Sequence, residues 1–218
     1  MSSNPFMVRE RIRIRFSKTG NLCFIGHRDL LTTLERLFRR ARLPIAMSEG
    51  FRPKLRMSSP SALPLGVAGE NEVLELEFSE PTDPDSLLIT LNKCAVDGLL
   101  FKSARLMDAG EKKAFLCSSV YELVVPAEFR AEVARCIDSL LDASTFPVVK
   151  TNGKTVDLRP SVLSLAIDTE TGVLTTELRS ESGPEAGVRE LLGALQLGDQ
   201  MFKTIFPVRK KCLLSRTE

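Results

Sequence analysis

The sequence predicts an α+β protein built from two α/β halves in tandem. Three observations carry that expectation. Residues 9–16 and 73–78 alternate charged and apolar side chains with period two, as strands buried on one face do. Residues 28–42, 84–95, 128–141 and 184–195 repeat apolar side chains at helical spacing. The elements follow in the order β-α-β-β-α-β, the split-βαβ or ferredoxin-like pattern, and the pattern recurs after a turn-rich boundary at 108–111. The expected domains are therefore 1–109 and 110–218, two ferredoxin-like sandwiches, the second with an inserted β-hairpin.

In the first strand Arg9, Arg11, Arg13 and Arg15 fall on one face, and Ile12, Ile14 and Phe16 on the other. Residues 17–21 read as a turn, and 22–25 as an extension or repeat of the strand. The helix over 28–42 places Leu30, Leu34, Leu37, Phe38 and Ala41 on one stripe. Asp29 near its start favours the unpaired amides, and Glu35 pairs with Arg39 four residues on. Arg36, Arg39, Arg40 and Arg42 crowd its C-terminal half, where cations suit the helix dipole, and Pro44 ends it. Residues 43–47 read as a short strand, 48–54 as a basic turn-rich loop, and 58–66 as irregular.

Asp83 is placed to cap the helix over 84–95, and 99–107 closes the first half as a strand. In the second half, strands are expected at 115–125, 162–167, 173–179 and 201–214, with helices at 128–141 and 184–195. The inserted hairpin comprises 146–150 and 154–158 around Asn152-Gly153, a two-residue turn signal.

Charge is strongly polarised. Of 30 Lys and Arg and 28 acids in the chain, residues 1–66 hold thirteen cations against four acids, a net +9; the remaining seventeen cations against 24 acids leave −7. A near-neutral total thus conceals a basic segment suited to an anionic partner. Twelve Phe, one Tyr and no Trp leave any base stacking to phenylalanine. The five cysteines are scattered, with no two within three residues, so small buried apolar side chains are expected rather than disulfides, zinc or an iron–sulfur cluster. The N-terminal residues contain no apolar run before their charges, and no stretch reaches membrane-spanning length; a cytoplasmic protein without membrane contact is expected.

The chemistry these residues allow is limited. His27, the only histidine, sits at a helix start beside Arg28 and near Lys18. It is either a general base acting on a ribose hydroxyl, a phosphate ligand, or a structural histidine bonded to loop backbone. There is no GxGxxG or GxxxxGK[ST] loop, no metal-ligand spacing, and no nucleophile with a partnered base. The basic surface remains. Arg11, Arg13, Arg15, Lys18, Arg36, Arg39, Arg40, Arg52, Lys54 and Arg56 are the candidate phosphate contacts, giving salt-sensitive and largely sequence-independent binding. The competing readings are a solvated face, or ion pairs to the acidic half of the chain.

The stretch FSKTGNLCFIGHRDLLTTLERLFRRARLPIAMSEGFRPKLRMSSPSALPLGV, from Phe16 to Val67, resembles the signature of the bacterial radical SAM-linked protein family, an uncharacterised family. Val156-Asp157-Leu158-Arg159-Pro160 is similar to a later element of that family. The shared positions are Lys18, Gly20, Phe24, His27, Asp29, Glu35, Arg36, Arg39, Arg40, Pro44, Ser48, Gly50, Phe51, Pro53, Ser58, Leu63, Pro64 and Gly66, with Arg159 from the later element. The chain departs at Arg52, Lys54, Leu55 and Arg56, where the family favours Asn, His, Pro and Lys, and at Gly26 and Arg28.

The resemblance implies a partner, a cobalamin-binding radical SAM protein. The iron–sulfur cluster, S-adenosylmethionine and cobalamin would then reside in that partner, because this chain lacks the clustered cysteines such chemistry requires. The function expected is an accessory, RNA-binding or substrate-presenting partner of that enzyme, with His27 and Phe51 central to the site. The alternatives are a metal-independent RNA-processing ribonuclease using His27, by fold analogy alone, and a pure protein–protein adaptor that docks through residues 51–66.

Overall fold

The computed structural model describes residues 10–180, 186–200, 203 and 205–215. Arg9, the first residues of the helix expected at 184–195 and the start of the strand expected at 201 lie outside the described residues. The chain divides into two units: one of residues up to 65 together with 70–114, the other of 66–69 together with 115 onward. The fold is α+β, with a sheet that is mostly antiparallel and partly parallel.

The first unit contains β1 (Glu10–Lys18), α1 (His27–Arg40), β2 (Met57–Ser58), most of β3 (Ala68–Phe78), α2 (Pro84–Cys94) and β4 (Leu99–Leu106). Its strands lie in the order β4-β1-β3, with β2 on the far side of β3. The period-two alternation of β1 sends Ile12, Ile14 and Phe16 into one core with Leu74, Leu76 and Phe78 of β3. α1 adds Leu30, Leu34, Leu37 and Phe38, and α2 adds Leu87 and Leu91. Each of those helical residues is at most 4% exposed. Truncating one of the larger ones to alanine costs about 2–5 kcal/mol in comparable cores, so this layer is what holds the helices on the sheet.

Helix ends follow local chemistry. Asp83 caps α2 as expected: its Oδ2 accepts from the Ser86 amide at 2.9 Å, with Pro84 at the first helical position. That bond holds the Asp83 carboxyl below its usual range. α1 begins after Gly26, with Asp29 in its first turn rather than at the cap. It ends before Pro44 is reached. Arg42 takes φ +53, its amide donates to Arg39 O (3.1 Å), and the Leu43 amide donates to Phe38 O (3.2 Å). These are the paired bonds of a left-handed helix stop, here on a non-glycine residue.

Two sequence expectations in this unit are corrected. Residues 22–25 are not strand. A 3-10 helix spans Gly20–Phe24, and its three-residue turn directs Leu22 and Ile25 toward the core while Cys23 is buried. Residues 43–47 are not a strand either. Only isolated bridges form, Ile45 to Phe78 and Met47 to Leu55, and the strand on this edge of β3 is Met57–Ser58. The Ala46 amide donates to Glu77 O, and the Glu77 amide to Arg56 O. The edge of β3 is therefore covered by two short pieces, one on either side of an extruded loop. Pro44, which has no amide proton, and the turn residues that follow shorten the first piece.

The second unit contains β5 (Leu116–Val124), α3 (Ala127–Asp142), β6 (Pro147–Val149), β7 (Thr155–Asp157), β8 (Val162–Ile167), β9 (Val173–Arg179), α4 (Val188–Ala194) and β10 (Val208–Leu214). Its strands run β10-β5-β9-β8. Ala68 and Gly69 join the other side of β10 in parallel, opposite Val208 and Arg209. Val133, Ile137 and Leu140 of α3 and Leu191 and Leu192 of α4 are buried. β6 and β7 form the inserted hairpin. Its loop has three residues rather than two: the Lys150 amide donates to Lys154 O, the Gly153 amide to Lys150 O, and Gly153 takes φ +79. The Asn152 side chain accepts from the Lys154 amide, which draws Asn152 into the turn before the left-handed position, so glycine alone occupies that position.

Candidate nucleic-acid interface

The extruded loop, residues 47–55, carries much of the signature. Its foot is closed by the Ser48 amide donating to Lys54 O (2.7 Å), the Lys54 amide donating to Ser48 Oγ (2.9 Å) and the Arg56 amide donating to Ala46 O (2.8 Å). Arg56 Nε also donates to Met47 O at 3.2 Å. Gly50, at φ +117 with open space where a Cβ would stand, makes the reversal near the tip. Beyond it Phe51 is 109% exposed, and Arg52, Pro53 and Lys54 are exposed with it. Ser48 is thus the brace of the loop, and Phe51 is its projecting group.

A cleft of about 250 Å³ lies at the loop foot, lined by Arg11, Ser48, Leu55, Arg56, Met57, Ser58, Glu75, Glu77 and Lys113. Its charges are mostly matched: Arg11 Nη2 lies 3.1 Å from Glu75 Oε2, and Arg56 Nη1 lies 3.3 Å from Glu77 Oε2. Lys113 is exposed and has no ion pair among the described residues. The cleft can offer an incoming anion one cation and the hydroxyls of Ser48 and Ser58.

The arginine face of β1 is not an open basic surface. Arg13, 1% exposed at its side chain, donates from Nε and Nη2 to Glu75 Oε1 at 3.0 and 2.9 Å, and its Nη2 lies 2.9 Å from Glu111 Oε1. Arg105 of β4 makes a two-pronged contact with Glu111, at 2.8 and 3.0 Å. Arg11 donates to the Glu111 carbonyl, and the Ala114 amide to Glu75 Oε1 (2.8 Å). Residues 108–114 are thereby tied across this face. The hydrogen bonds from Arg105 foremost, opposed by burial and helped by the Asp108 amide and the Arg13 charge, hold the Glu111 carboxyl down at about 2.

Arg13 is therefore withdrawn as a phosphate contact, because its fork is committed inside the unit. Lys18 is withdrawn too: it is 0% exposed and its Nζ donates to Ile25 O at 2.9 Å. Arg11 is half-buried and shared with Glu75, and Arg15 is half-buried on the same face. Part of the charge of residues 1–66 is thus met by acids of the acidic remainder of the chain, brought into the same unit: Glu75 and Glu111 for Arg13, Glu75 for Arg11 and Glu77 for Arg56. The readable signal was the alternation of Glu75 and Glu77 on β3 against Arg11, Arg13 and Arg15 on β1; nothing in the sequence marked Lys113, Arg105 or Glu111.

The remaining candidates fall on other elements. Arg36, Arg39 and Arg40 are exposed on α1, Arg40 also donating to Cys94 O. His27, half-buried, is the first residue of α1, and Asp29 is exposed in its first turn. Pro64 is half-buried after the fully packed Leu63. Gly66, at φ +79, begins the piece of chain that belongs to the second unit. Arg159 lies in the second unit, in a 3-10 turn where its amide donates to Asp157 Oδ1 (3.0 Å) and its Nη1 to Val162 O (3.3 Å).

Among the described residues no group of three or more His, Cys, Asp or Glu is placed to hold a metal ion, and no helix is long and apolar enough to cross a membrane. Cys23 is buried, and burial foremost raises its thiol pKa above the ordinary value.

The fold and the braced loop thus define a two-unit α+β protein with an aromatic-tipped basic loop on its first unit. The chain belongs to a bacterial family: the model described as "uncharacterized protein conserved in bacteria" (DUF2344) matches residues 11–189, a span that includes the loop, α1 and Arg159. No curated protein matches the chain.

Proposed function

We propose that this protein is an accessory, RNA-binding or substrate-presenting partner of a cobalamin-binding radical SAM enzyme. The observation that carries the reading is the projection of Phe51, 109% exposed, from a loop whose foot is hydrogen-bonded and which also exposes the cations Arg52 and Lys54. An aromatic ring with no intramolecular packing beside two cations suits a base face and its flanking phosphates. The exposed Arg36, Arg39 and Arg40 add positive charge on α1, the helix that precedes the loop in the chain. The radical SAM partner comes from the resemblance of the signature; the cluster, S-adenosylmethionine and cobalamin belong to that partner in this reading.

Both units run β-α-β-β-α-β once the hairpin is set aside, and each has its last strand beside its first, then its third and second. That order supports two ferredoxin-like sandwiches. Reversing the charge of Arg39 and Arg40 together (R39E/R40E) is expected to weaken RNA binding and to flatten its dependence on salt by about two units of slope at most. Unchanged affinity and slope would remove α1 from the interface. A protein-docking role is the second reading, since Phe51 would also serve it. Copurification of a radical SAM protein that survives nuclease and high salt, and is lost with F51A, would favour docking.

A further inference from the structure

The exposed ring also bears on which form of RNA the loop accepts, an inference that rests on the reading just given. We infer that the loop selects unpaired strands over duplex. The cations alone would not discriminate, because phosphates are present on both forms and binding through them is largely indifferent to base pairing. Phe51 is different. Its ring stands beyond Gly50 at the loop tip, fully exposed, and presents an apolar face rather than a donor or acceptor. In an A-form duplex the base faces are occupied by neighbouring bases, and only edges, sugars and phosphates are displayed. A ring at a loop tip finds a stacking partner only where a base is unpaired and can be splayed outward.

Two further features fit that role. The loop foot is held by the Ser48–Lys54 pair of bonds and by the Arg56 contacts to Ala46 O and Met47 O, so little ordering is left to be done on binding. The cleft at the same foot, with Ser48, Ser58 and Lys113 in its wall, offers hydroxyls and one cation to the sugar–phosphate next to the stacked base. Two cations in the loop together with Lys113 match the charge of a short run of nucleotides, and Ser58 and Glu77 supply acceptors for ribose hydroxyls.

The test uses the full chain and two probes at low salt: an unstructured oligoribonucleotide of about a dozen nucleotides, and the same strand annealed to its complement. Affinity is read by fluorescence anisotropy for the unaltered protein, F51A and R52A/K54A. The expected result is tighter binding of the single strand, weakened about 5- to 100-fold by F51A while duplex affinity changes little. R52A/K54A should weaken both. Because Phe51 touches nothing in the fold, F51A should unfold at the same denaturant concentration as the unaltered protein, which separates a lost contact from a lost structure. Equal affinity for both probes, or an equal loss on both with F51A, would overturn strand selection and leave RNA binding standing. Absence of binding to either probe would overturn the inference and the proposed function together.

Discussion

Arg13→Met is the perturbation that most directly probes how the first unit is held together. It keeps the length of the side chain and removes a guanidinium that is 1% exposed. The lost contacts are the Nε and Nη2 bonds to Glu75 Oε1, at 3.0 and 2.9 Å, and the Nη2 approach to Glu111 Oε1, at 2.9 Å. Removing one partner of a buried ion pair costs about 3–5 kcal/mol, because the charge left behind is neither solvated nor paired. Here both carboxylates retain other donors. Glu75 keeps Arg11 and the Ala114 amide, and Glu111 keeps Arg105 and the Asp108 amide. The loss should therefore sit at the lower end, about 3 kcal/mol. Arg105, 40% exposed at its side chain, provides the contrast. Water screens its pair with Glu111, so Arg105→Met should cost about 1 kcal/mol. Urea unfolding, followed by a probe in the first unit, measures both. At a slope of about 2 kcal/mol per molar, the two midpoints should fall by about 1.5 M and 0.5 M respectively. If Arg13→Met lies within about 0.5 kcal/mol of the unaltered protein, the buried pair does not support the unit and the reasoning is refuted.

Glu111 gives a pH test of the same network. Its carboxyl sits at about 2 in the folded chain against an ordinary 4.5, so its contribution is fully present above 4.5 and lost as pH falls through about 2. Across that window the unaltered protein should lose stability with an extra slope of at most about 1.4 kcal/mol per pH unit relative to Glu111→Gln; parallel profiles would deny the linkage. At the end of α1, Arg42→Gly relieves a side chain held at φ +53, and should raise stability by about 0.5–1 kcal/mol in thermal or urea unfolding. A loss instead would mean that the Arg42 side chain contributes more than the left-handed backbone costs.

Local patterns determined a good deal of this protein. Period-two alternation placed β1 and β3, and helical spacing placed the buried stripe of α1; the order of elements came with them. Asp83 before Pro84 announced its own cap, because that chemistry needs only four consecutive residues. The basic loop was legible as turn chemistry, and its exposed Phe51 as a candidate contact. Other features were settled only when strands met. The strand on the edge of β3 is Met57–Ser58, with residues 43–47 adding only isolated bridges, because pairing depends on where β3 can be reached on either side of the extruded loop. Arg13 reads as a surface cation in its own strand and becomes internal only because β3 supplies Glu75 and residues 108–114 supply Glu111 across the same face. A strand's alternation states that two faces differ; which face meets solvent depends on what the rest of the chain lays over it.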